Sequence, residues 1–234
     1  MKFYFLCLTL FSTCASALPK GFVYLADVAP TIKQELRYYS ANNFVGRRIT
    51  GYYANRCILT QQAASALALV QQELSKEQMS LIVYDCYRPQ KAVNDFYIWS
   101  QNKDKLMKPY FYPREPKASL FDRGYIAKYS GHSRGSTIDL SIYKQPQKTE
   151  NAESQCYSYQ RDQQNSIDMG TNFDCLDPAS YVKDRSVSHQ AQENRRVLQK
   201  VMKKYNFKPY SKEWWHFTLR KEPFPRNYFN FEVK

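Results

Sequence analysis

The chain has 234 residues, with 34 Lys and Arg against 21 Asp and Glu for a net charge of +13, and 16% of its residues are aromatic. That length suits one compact domain with a sizeable core, and no repeat, low-complexity tract or Gly/Ser linker marks a second. The basic residues are scattered rather than blocked, which describes a solvated basic surface, and no element that reads nucleic acid accompanies them.

Residues 1–17 carry Lys2, an apolar run over 3–11 and the small-residue end Ala15-Ser16-Ala17, the pattern of a secretory signal peptide. This leaves residues 18–234 as a single domain. A lipoprotein signal at Cys14 is the alternative, which Phe11 and Thr13 fit poorly. No later apolar run is long enough to span a bilayer, so no stable membrane insertion is expected. Cys57, Cys86, Cys156 and Cys175 remain after the signal, an even number that fits an oxidising compartment and allows three pairings. We expect Cys57 with Cys86, tying the entry of a helix to the end of the following strand. Cys156 with Cys175 would then close a polar surface insertion over residues 144–164. A cysteine metal site is disfavoured, because no Cys-x-x-Cys pair occurs.

Residues 21–48 show no clear period. The spacing over 60–76 predicts a helix capped by Thr60, with Ala63, Leu67, Val70 and Leu74 as its buried stripe. Residues 81–87 read as a strand, apolar on both faces at Leu81, Ile82 and Val83. Arg88 ends it, and Pro89 holds Arg88 extended and starts a helix to about Ser100. Asp85 shares the parity of Val83 and Tyr87 and reads as a turn anchor, Asp95 as a structural helix residue. Residues 101–119 are irregular, with Tyr110, Phe111 and Tyr112 assigned to the core.

Ser130-Gly131-His132-Ser133-Arg134-Gly135-Ser136-Thr137-Ile138-Asp139 then places a histidine and an aspartate on either side of a Gly-containing turn. From 137 to 143, apolar Ile138, Leu140 and Ile142 alternate with Thr137, Asp139 and Ser141, a half-buried strand with Asp139 on its polar face. A Gly-centred turn at 169–174 ends in Asp174. Ser188 caps a helix to about Asn206, with His189 in its first turn and Val197, Leu198, Val201, Met202 and Tyr205 as its buried stripe. A strand over 207–219 holds Glu213-Trp214-Trp215-His216, and an aromatic-rich tail closes the chain. Two of the three histidines thus sit in two short motifs.

The chemistry of these residue types points to zinc. A catalytic zinc usually takes three protein ligands from His and Asp/Glu and leaves a position for water. His132, Asp139 and His216 fill the three, and Glu213 is the carboxylate left to carry the proton. Glu213 and His216 have opposite strand parity, so Glu213 is expected in a turn or bulge at the strand mouth. Ser133 and Arg134 do not make a serine-hydrolase pair, because no histidine is left to act as base apart from the metal set.

Three motifs, Tyr84-Asp85-Cys86-Tyr87-Arg88-Pro89, the run from Ser130 to Asp139, and Glu213-Trp214-Trp215-His216, resemble the signatures of the D-alanyl-D-alanine dipeptidases. These zinc peptidases are related to the D,D-carboxypeptidases and the Hedgehog signalling domain, and the resemblance runs in order from about Phe22 to the C-terminus. It implies an α+β fold, a mainly antiparallel sheet flanked by helices, with one zinc ion per chain at one end. It implies that Arg88 stabilises the oxyanion and that Ser130 positions a D-Ala-D-Ala dipeptide. Tyr38 and Asp174 would take the dipeptide's amine, and Trp214 and Trp215 would wall the site. The alternatives are a D,D-carboxypeptidase acting on longer wall peptides and a non-catalytic zinc protein that binds wall fragments. Export, to the periplasm or outside the cell, implies salvage or trimming of wall dipeptides. The oligomeric state is left open.

Overall fold

In the computed structural model, residues 17–144, 156–157 and 166–234 are described. Residues 1–16, where a signal peptide is expected, with Cys14, and most of the polar insertion lie outside the described residues. In chain order the strands are β1 (Phe22–Tyr24), β2 (Lys33–Gln34), β3 (Ile58–Thr60), β4 (Met79–Asp85), β5 (Thr137–Lys144), β6 (Phe207–Tyr210) and β7 (Glu213–Leu219). The α-helices are α1 (Leu25–Val28), α2 (Gln61–Ser75), α3 (Gln90–Gln101), α4 (Lys108–Phe111) and α5 (His189–Lys204).

Five strands form one sheet in the order β2-β4-β5-β7-β6, and β1 pairs with β3 in a separate ribbon. Only β2 and β4 run parallel in the large sheet; its other pairs are antiparallel. The apolar runs explain the layering. Leu81, Ile82 and Val83 of β4 and Ile138, Leu140 and Ile142 of β5 are fully enclosed and share one core with Leu67, Val70 and Leu74 of α2 and Leu198 and Met202 of α5. A second core gathers Tyr38, Phe44, Tyr52, Phe96, Trp99, Phe111 and Tyr112, which agrees with the core assignment of the irregular stretch before the histidine motif. No helix among the described residues is long and apolar enough to cross a membrane.

The caps fall where expected: Thr60 accepts a hydrogen bond from the Ala63 N–H at 3.3 Å, and Ser188 from that of Ala191 at 3.1 Å. Three expectations need correction. β5 is not half-buried; it is central, and its polar side chains are paired across the face, Thr137 with Thr218 at 2.9 Å and Ser141 with Ser166 at 2.6 Å. The strand expected over 207–219 is a hairpin, broken at Ser211 and Lys212. In α5, Val197 is 41% exposed. Arg195 is buried on that helix instead, and donates to the carbonyls of Met169, Ala179 and Tyr181 at 2.7, 2.9 and 2.8 Å. It thereby anchors the segment that carries Asp174. His189 opens the helix, as expected, and is exposed.

Candidate metal and peptidase site

The register of the sheet brings the distant motifs together. Asp139 of β5 lies directly opposite His216 of β7, so both side chains leave the same face. His132 arrives from a 3-10 turn, Gly131–Arg134, capped by the Ser130 side chain, which accepts the His132 N–H at 3.3 Å. Gly135 then returns the chain to β5 at φ +81, where an added Cβ would stand 2.2 Å from the Phe22 ring. No other residue fits that corner.

His132, Asp139 and His216 form a cluster whose ligand atoms lie within 4.8 Å of one another. His132 Nε2 is 3.4 Å from His216 Nδ1 and 3.2 Å from Asp139 Oδ2, and His216 Nδ1 is 3.1 Å from Asp139 Oδ1. A tetrahedral ion with bonds of about 2.0–2.1 Å separates its ligands by about 3.3 Å. His132 Nδ1 donates to the Cys86 carbonyl at 2.7 Å, which leaves Nε2 as the lone-pair nitrogen facing the cluster. Asp139 Oδ1 is buried without a hydrogen-bond partner, which is costly for a carboxylate oxygen. Two imidazoles and one under-used carboxylate therefore fit a divalent metal ion.

Glu213 is the first residue of β7, and a register break sets it on the ligand face. Pro209 pairs with Phe217, but the next residue, Tyr210, pairs with Glu213. This irregularity overrides the parity that would have sent Glu213 away from His216, and Glu213 Oε2 lies 3.3 Å from His216 Nδ1.

On the other side, Arg88 lines the same cavity. Its Nε and Nη2 lie 2.9 and 2.8 Å from Asp85 Oδ2, whose other oxygen accepts the Tyr52 hydroxyl at 2.6 Å. Asp85 is no turn anchor, and this corrects its sequence assignment: Val83 pairs with Leu140 while Asp85, two residues on, pairs with Asp139 one step further. The bulge at Tyr84 flips the parity and turns Asp85 to the site. Asp95 is structural, as expected, bound by Arg47 and Thr50.

The cavity has a volume of about 190 Å³. Opposite the ligands, the Tyr38 hydroxyl donates to Asp174 at 3.0 and 3.2 Å, both groups being buried. Ser130, Asp174 and Tyr38 all line the cavity, with Leu176, Tyr210 and residues 124–127 as further wall. Trp215 lines it as well; Trp214 does not, and is a core residue whose indole donates to Thr171 at 2.9 Å. Both expected disulfides are present, Cys57–Cys86 and Cys156–Cys175.

A family model described as D-ala-D-ala dipeptidase, Peptidase_M15, matches residues 19–234. The chain belongs to this family of peptidases. D-alanyl-D-alanine dipeptidase of Enterococcus faecalis is 36% identical over 92% of this chain and 100% of its own length, and that of Enterococcus faecium 34% identical over 92% and 98%. The Escherichia coli dipeptidase is 33% identical over 83% of this chain and 82% of its own. Among solved structures, the vancomycin-resistance D,D-dipeptidase VanXYg with a D-Ala-D-Ala phosphinate analogue shares 15% identity at a TM-score of 0.35, over 86% of this chain and 67% of that one. That likeness is too loose to superpose one site on the other.

In this peptidase the buried charges shape one another. Burial pushes Asp139 up, but the facing imidazoles outweigh it and hold the carboxyl well below the usual range. Burial lowers His216, while the Asp139 and Glu213 carboxylates lift it to about 9. Glu213 is raised by burial against the opposing pull of His216. Asp174 is raised well above its ordinary value by burial and by the Asp139 charge. Sequence reasoning missed Asp85 and Tyr52 as parts of the site, because the bulge that re-aims Asp85 has no signature of its own.

Proposed function

We propose that this protein is a zinc-dependent D-alanyl-D-alanine dipeptidase, cleaving the D,D-dipeptide to two free amino acids. The observation that carries this reading is one small cavity with two imidazoles, Asp139 and Glu213 on one side and the buried Tyr38–Asp174 pair on the other. The names of the relatives supply the substrate. Bound by His132, Asp139 and His216, zinc would supply Lewis-acid chemistry, polarising the scissile carbonyl and acidifying the attacking water.

The chain's own residues do the rest. Glu213 takes the proton from the attacking water and returns it to the departing amine; burial raises its proton affinity toward that exchange. Arg88 donates to the oxyanion that develops on the carbonyl, a task suited to a rigid, permanently charged guanidinium. Asp174 pairs with the substrate's α-ammonium, whose charge would offset the burial that raises the carboxyl's proton affinity, and Tyr38 orients it. Ser130 stands at the lip of the 3-10 turn, beside the bound dipeptide. A cavity of about 190 Å³ suits a small substrate such as a dipeptide.

We further propose that the mature protein begins near residue 18 after export and works outside the cytoplasm, salvaging or trimming wall dipeptides. Metal analysis of the purified mature protein tests the cofactor, and a panel of D-Ala-D-Ala against an acylated tripeptide tests the reaction. Glu213→Ala should keep its metal and lose about 10³-fold in kcat. Activity within about tenfold of wild type would remove Glu213 from its role.

A further inference from the structure

Asp85 performs no step in the reaction above, yet it is as enclosed as any group in the site, with 0% exposure. A buried carboxylate is costly unless it is paired and hydrogen-bonded. Both its oxygens are engaged: Oδ2 by Arg88, and Oδ1 by Tyr52, itself fully buried at the base of the second core. The bulge after Val83 sets Asp85 opposite Asp139, so two carboxylates flank one arginine. Arg88 Nη2 lies 2.8 Å from Asp85 but also 3.6 Å from Asp139 Oδ2, within reach of the carboxylate that completes the metal cluster.

These distances describe a competition. Were Arg88 to close on Asp139, its donors would be spent on a metal ligand and turned from the substrate. We infer that Asp85, braced by Tyr52, is a positioning residue: it holds the Arg88 guanidinium off Asp139 and keeps its remaining donors facing the cavity. The rings of Tyr38 and Phe96 lie 4.9 and 5.2 Å from the guanidinium carbon, limiting its swing. A role in orienting His132 is the rival. Asp85 Oδ2 is 3.4 Å from His132 Nδ1, but that nitrogen already has the Cys86 carbonyl at 2.7 Å, so the imidazole is held without Asp85.

The inference takes its substrate from the dipeptidase reading, and the experiment separates the two. Steady-state hydrolysis of D-Ala-D-Ala is measured for wild type, Asp85→Asn, Arg88→Ala and the double variant, together with metal content and a crystal structure of Asp85→Asn. The single variant should lose about 10²-fold in kcat, the scale of one oxyanion donor, with KM within about threefold and full metal occupancy. The double variant should be no slower than Arg88→Ala alone, because the two act as a unit. In the crystal, the guanidinium should have moved onto Asp139. Losses that multiply in the double variant, a kcat within about threefold of wild type, or metal lost together with activity would each overturn the inference. Should Asp85→Asn fail to fold, Tyr52→Phe replaces it. A loss of about threefold to tenfold in kcat that vanishes in the Arg88→Ala background supports the role; an equal loss in both backgrounds sinks it. If wild type leaves the dipeptide intact, the dipeptidase reading has failed, and the crystal structure alone decides Asp85: an unmoved guanidinium rejects it.

Discussion

His132, Asp139, His216 and Glu213 stand on or against β5 and β7, where cross-strand register and one hairpin irregularity set each side chain. Across the cavity, Tyr38 comes from a 3-10 turn and Asp174 from an irregular segment, where its φ of +60 is unusual for a residue other than glycine. The sheet side is held by ladder hydrogen bonds; the loop side is held by side chains reaching in, above all Arg195. Rigid elements suit groups that must hold an ion to within tenths of an ångström, while loops can vary the pocket without disturbing it. On this division, damage to the sheet side should abolish chemistry, and damage to the loop side should change which molecules are accepted.

The largest effect should come from the sheet side. His216→Ala should lose its metal by elemental analysis and more than about 10³-fold in kcat/KM, with the fold intact by circular dichroism. Retention of metal and activity would break the comparison at its strongest point. On the loop side, Asp174→Asn should raise KM about tenfold to a hundredfold with a smaller change in kcat, the scale of one charge-assisted hydrogen bond. It should also lose preference for a free over an acetylated amine. The pH dependence has a definite sign. Because burial raises the Asp174 carboxyl, the ionised form that pairs with an ammonium is lost as pH falls through a value above the ordinary carboxylate range. Wild-type KM should therefore climb toward acid earlier than a surface carboxylate would dictate, and Asp174→Asn should flatten that limb.

The disulfides sharpen the contrast. Cys86 lies between Asp85 and Arg88, and Cys175 follows Asp174. Each Cys→Ser pair should cost about 2–4 kcal/mol in denaturant titrations. Loss of Cys57–Cys86 should act mainly on kcat, and loss of Cys156–Cys175 mainly on KM. The smallest effect belongs outside the site. Asp95 is held below its ordinary value by Arg47 and Thr50 against the opposing effect of burial. Its contribution is present above the unfolded value and lost as pH falls through the lower folded one. Asp95→Asn should cost about 1 kcal/mol near neutral pH, since Arg47 is half-exposed, and the gap from wild type should close in acid.

The sequence disclosed the metal cluster because two of three histidines fell in short motifs and because Asp139 sat at the polar parity of a clear alternation. The helices were legible from period and caps, and the disulfides from even cysteine count and position. What stayed hidden was geometry that breaks a period. The bulge at Tyr84 reversed the parity of Asp85, the two-residue turn inside 207–219 split one expected strand into a hairpin, and Arg195 took the core place given to Val197. Trp214 and Trp215 are adjacent and chemically alike, so only the fold tells which one faces the cavity.

The placement of the two cystines bears on how the protein comes of age. Each clamps the chain within two residues of a side chain that would grip substrate, so closing them should tighten the pocket. Material synthesised in a reducing extract should then gain turnover when glutathione disulfide is supplied afterwards.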